Sequence, residues 1–111
     1  MRLRSEETRE RILVARLRTR ELAHEYATLV QQLSIASAQD YAVAALGKNR
    51  LRDAVLEFST LLREQATSPE DSLKMVKDAT EEVLRLRRRD EGHVADELVQ
   101  WFCRAYYATP A

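Results

Sequence analysis

Residues Gly92 to Tyr107 read GHVADELVQWFCRAYY. At 100° per residue, Val94, Ala95, Leu98, Trp101, Phe102 and Ala105 share one side of a helix, opposite Asp96, Glu97, Gln100 and Arg104. Trp101, Phe102, Tyr106 and Tyr107 place four of the chain's seven aromatic rings within this one segment. Each large ring hides on the order of 150–250 Å² when packed, so this helix is expected to dominate the core and must find partners elsewhere in the chain.

Those partners are helices too. The 111 residues are 45% hydrophobic and 32% charged, with two Gly and two Pro. That is the composition of a helical domain, and no window alternates Val, Ile or Thr as a strand does. Upstream of the aromatic segment, Thr67-Ser68-Pro69-Glu70-Asp71 predicts a helix start. Ser68 is the N-cap, Pro69 stands at N1 where its missing N–H costs nothing, and Asp71 falls at N3. A helix over 69–89 would bury Leu73, Val76, Thr80, Val83 and Leu84, with Met75, Ala79 and Leu86 as a weaker stripe. Arg85, Arg87, Arg88 and Arg89 favour its C-terminal end. Leu51, Ala54, Val55, Phe58, Leu61, Leu62 and Ala66 predict another helix over about 50–66, capped by Asn49. Gly47 is expected to end the preceding helix as a left-handed cap.

The N-terminal third carries two apolar stripes. Ser5-Glu6-Glu7 predicts a helix start near residue 6, and nothing breaks the helix before about Leu33. Ala15, Leu22, Tyr26, Leu29 and Leu33 follow near-heptad spacing, and Leu13, Leu17, His24, Thr28 and Ile35 form a thinner second line. Two readings stay open for 34–46: a break at Ser34 or Ser37, or one helix continuing to Leu46.

Length allows one domain. Eighteen basic residues balance eighteen acidic ones, which removes any global field toward nucleic acid or an anionic membrane. The first twenty residues are locally basic, with seven arginines against three glutamates. Cys103 is the single cysteine, which excludes an intramolecular disulfide and fits a reducing compartment. The apolar run Ile12 to Ala15 is too short to span a bilayer, so a cytoplasmic location is expected.

Three chemical readings compete with a purely structural one. Glu21-x-x-His24 and Asp90-x-x-His93 have the ExxH-like spacing of bundle di-metal sites. In a chain this rich in charge the spacing arises by chance, and no metal or cofactor is expected. The Arg85 to Arg89 cluster has the charge to touch phosphates, yet Asp90, Glu91, Asp96 and Glu97 follow directly, as in an ion-paired helix end.

His24-Glu25-Tyr26-Ala27-Thr28 resembles the phosphoacceptor box of sensor kinases, where His-Glu, two residues and Thr lie on a dimeric helical hairpin. The resemblance implies phosphotransfer at His24, with Glu25 taking its proton. This chain lacks the Pro that commonly follows the Thr, and a nucleotide-binding domain. Pro69-Glu70, Val76-Lys77 and the run Trp101 to Tyr107 also resemble the C-terminal helical pair of small uncharacterised bacterial proteins. That likeness implies a bacterial cytosolic origin and no particular activity.

The expectation is an all-α, antiparallel bundle of four to five helices, assembled as a homodimer on its first helix. Its function would be non-catalytic, presenting surfaces to an unidentified protein partner. The surplus apolar positions, Leu13, Leu17, Met75, Leu86, Val99, Cys103 and Tyr106, are the expected interface, because exposed apolar surface marks contact sites. His24 with Glu25, or the basic cluster at Arg85, are the alternatives.

Overall fold

The computed structural model describes residues 2–32, 38–86 and 93–108. Among these the chain is helical, without strands: α1 (Arg2–Gln32), α2 (Ala38–Glu64), α3 (Pro69–Ala79), α4 (Glu81–Leu86) and α5 (His93–Tyr106). The principal extents are 53 × 27 × 21 Å and the radius of gyration is 14.9 Å. A compact chain of this length has a radius of about 13 Å, so the molecule is elongated. Helix α1 sets the long axis, since its residues rise about 46 Å at 1.5 Å each.

One core joins all the helices. Phe58 and Phe102 are its largest fully buried side chains, surrounded by Leu51, Val55, Leu62, Val76 and Val83. Burying each such side chain stabilises by roughly 1.5–3 kcal/mol. From α1 the core takes Ile12, Ala15, Leu22, Ala23 and Tyr26, and from α5 Val94, Leu98 and Phe102. Trp101 packs against this cluster but stays half-exposed. Among the described residues α1 and α5 are not neighbours; α2, α3 and α4 lie between them.

Small residues bring α1 and α2 close together. Thr19 Oγ1 donates to Ala15 O at 2.7 Å and lies 3.3 Å from Ala54 O of α2, with Thr19 fully buried. Farther along, Tyr26 and Leu29 cover Gly47, and Glu25 meets Arg50 at 3.7 Å. Gly47 therefore does not end a helix as its local sequence predicts. Helix α2 runs through it, and a Cβ there would sit 3.1 Å from Leu29 Cδ1. Its small size serves helix approach, where interaxial distance follows the side chains at the contact.

The left-handed cap lies at Ala66 instead, where φ is 62°. Ala66 N–H donates to Arg63 O at 2.9 Å and Thr67 N–H to Leu62 O at 3.1 Å, which is the Schellman pattern. Ala66, expected on the buried stripe, is thus outside the helix and exposed.

Ser68 caps α3, its Oγ accepting from Asp71 N–H at 3.2 Å with Pro69 in the first turn. The single helix expected over 69–89 is interrupted at Thr80. This buried residue donates from Oγ1 to Val76 O at 2.8 Å, while its N–H is shared between Val76 O and Lys77 O. Such back-bonding bends helices, and here α4 restarts on the Thr80 carbonyl through Val83 and Leu84 N–H. Arg87, Arg88 and Arg89 lie outside the described residues.

Helix α5 lies along α2 with residue numbers rising together. Lys48 pairs with Glu97 near one end, and Arg63 Nη1 reaches Ala105 O and Ala108 O at the other. A purely antiparallel neighbour pattern does not describe this pair. The reason is the intervening α3 and α4, which return the chain before α5 begins.

Candidate functional site

The buried faces leave one ridge of α1 uncovered. Ile12, Ala15, Thr19, Leu22, Ala23 and Tyr26 point inward, so Leu13 and Leu17, one turn apart, point outward. They are 54% and 53% exposed, and Val14 beside them is 63% exposed. Val14 belongs to neither sequence stripe; its place three residues before Leu17 was the available signal. Glu10, Arg16, Arg20 and Glu21, all exposed, surround the three apolar side chains.

Open grooves flank this ridge where it meets α2. One is lined by Val14 and Arg18 of α1 with Glu57 and Leu61 of α2, the other by Leu17, Glu21 and Glu25 with Arg50. Both mix apolar and charged side chains of either sign.

The other expected interface residues are dispersed. Val99 and Cys103 are exposed one turn apart on α5, with Tyr107 exposed one turn farther. Met75 and Tyr106 do not stand free: both are half-buried against the chain's own core. Tyr106 stacks on Phe102 with centroids 5.2 Å apart, meets Tyr107 edge-on, and donates its hydroxyl to Thr67 O. The Leu86 side chain falls outside the described residues. Tyr41, Val43 and Leu46 add exposed apolar area on the first turns of α2, which the sequence stripes did not single out.

His24 is exposed on α1, and the neighbouring Glu25 carboxylate is turned to Arg50. Glu21 is exposed one turn before His24, whereas Asp90 and the His93 side chain are outside the described residues. Among the described residues no group of three or more His, Cys, Asp or Glu is placed to hold a metal ion. Arg85 pairs with Glu81 at 3.3 Å and with Glu82 at 3.5 Å, which occupies the one described guanidinium of the basic cluster. No described helix is long and apolar enough to cross a membrane.

Comparisons with protein-family models, with curated proteins and with solved structures found no match to this chain.

Proposed function

We propose that this chain is a non-catalytic helical interaction module that works as a homodimer joined through the outward ridge of α1. The observation that carries the reading is the exposure of Leu13, Val14 and Leu17 together on a helix whose other side is fully used. Covering the part of each side chain that stays in water would gain about half of the roughly 1.5–3 kcal/mol that full burial gives, and a contiguous exposed patch of this kind marks a contact site.

Within the protomer, an antiparallel pairing of α1 and α2 is supported by their contacts. Residue numbers fall from Leu29 to Thr19 along α1 as they rise from Gly47 to Ala54 along α2. This pairing stiffens α1 from behind and presents its ridge on a rigid support.

The patch is small and association costs several kcal/mol of lost rigid-body freedom, so the dimer is expected to be of micromolar order. Leu17→Glu tests the reading. Sedimentation equilibrium should show dimer in the unmodified chain and monomer in the variant, with unchanged helicity by circular dichroism. A dimer that survives Leu17→Glu would place the interface elsewhere.

A further inference from the structure

We infer that the occupant of the α1 ridge is α1 of a second copy, docked antiparallel about a two-fold axis that passes level with residue 15. The inference rests on the dimer reading above and adds its orientation and register.

Two alignments bring the exposed leucines together, and charge decides between them. Glu6, Glu10, Leu13, Leu17, Arg20 and His24 follow one another along the outward line of α1, at alternating steps of three and four residues. In a parallel pair each residue meets its own copy. Glu10 would then face Glu10 and Arg20 would face Arg20, two like-charge layers on either side of a short apolar centre.

In the antiparallel alignment, positions whose numbers sum to thirty lie level. Leu13 then meets Leu17 of the second copy, and Glu10 meets its Arg20. Glu6 meets its His24. The symmetry repeats each contact, so four leucines form the centre and a Glu10–Arg20 pair closes each end. Val14 approaches its own copy beside the axis, which extends the apolar centre. Arg16 approaches its own copy on the opposite flank, where both guanidiniums are exposed and solvent screens them. Along its central line the isologous patch is self-complementary in apolar shape and in sign of charge, as a two-fold interface requires; on the Val14 flank Glu7 approaches the second copy's Glu21, an exposed pair that solvent screens as it does Arg16.

The test is a charge exchange at sites exposed in the protomer, so the fold is not at stake. Dissociation constants are measured by sedimentation equilibrium at low salt for the unmodified chain, Glu10→Arg, Arg20→Glu and the double variant. Each single change places two like-charge contacts in the antiparallel interface and should raise the dissociation constant by about tenfold; the double variant should return it to the starting value. In a Cys103→Ser background, a mixture of Leu13→Cys and Leu17→Cys chains should form the mixed disulfide in preference to either homodimer. A dimer indifferent to the single changes, or cross-linking preferentially through Leu13→Cys to itself, would overturn the antiparallel register and leave the dimer reading standing. A chain monomeric throughout would remove both.

Discussion

The Tyr106 hydroxyl donates to the main-chain carbonyl of Thr67, tying the last turn of α5 to the turn between α2 and α3 across thirty-nine positions of sequence. Arg63 strengthens the same corner by donating to Ala105 O in the last turn of α5 and to Ala108 O just beyond it. Tyr106→Phe keeps the ring stacked on Phe102 and removes only this bond. It should cost about 1 kcal/mol in urea unfolding. An unchanged midpoint would mean the bond contributes nothing in solution.

Ala66 holds a left-handed conformation that a residue with a Cβ adopts at a cost of roughly 1–2 kcal/mol. Its side chain is exposed and contributes little packing. Ala66→Gly should therefore raise stability by about 1 kcal/mol, or about 4 °C in melting temperature for a domain of this size. A fall in melting temperature would contradict the Schellman cap.

Gly47 poses the opposite case, a glycine inside a helix. Alanine there gains up to about 1 kcal/mol of helix propensity, opposed by the 3.1 Å approach of Leu29 Cδ1. That atom is the end of a flexible, half-exposed side chain, which can turn aside. Gly47→Ala should stabilise by a few tenths of a kcal/mol to about 1 kcal/mol. A loss of 1 kcal/mol or more would show that Leu29 is held fast between α1 and α2.

Ser59 is fully buried on α2, and its hydroxyl has no hydrogen-bond partner among the described residues. A buried unsatisfied polar group costs about 1–3 kcal/mol, so Ser59→Ala should stabilise by about 1 kcal/mol in chemical denaturation. Destabilisation would indicate a partner that the hydroxyl finds in solution.

How much of this was legible depended on the range of the interaction. The periodicity of Leu51, Val55, Phe58 and Leu62, and of Val94, Leu98 and Phe102, is a local property, and those residues are the centre of the core. Ser68 and Pro69 announce the start of α3 through a bond only three residues long. Gly47, Ala66 and the break at Thr80, whose burial the stripe does predict, differ from the local reading because each answers to something beyond its immediate neighbours. Gly47 is chosen by the approach of α1, Ala66 takes the turn that packing α3 on α2 requires, and Thr80 is buried where its hydroxyl bonds the preceding turn. Tyr106 looked like surplus apolar surface because its partner Thr67 is remote in sequence. For the ridge of α1, the second stripe of Leu13 and Leu17 was visible, while Val14 became part of the patch only once the inward face of the helix was known.

Light scattering on the unmodified chain during size-exclusion chromatography, at loading concentrations from about ten micromolar to about one millimolar, tests the central claim most directly. The α1 ridge predicts a mass that climbs from the 12.8 kDa of one chain toward twice that value as concentration rises. A mass fixed at 12.8 kDa over the whole range would contradict it.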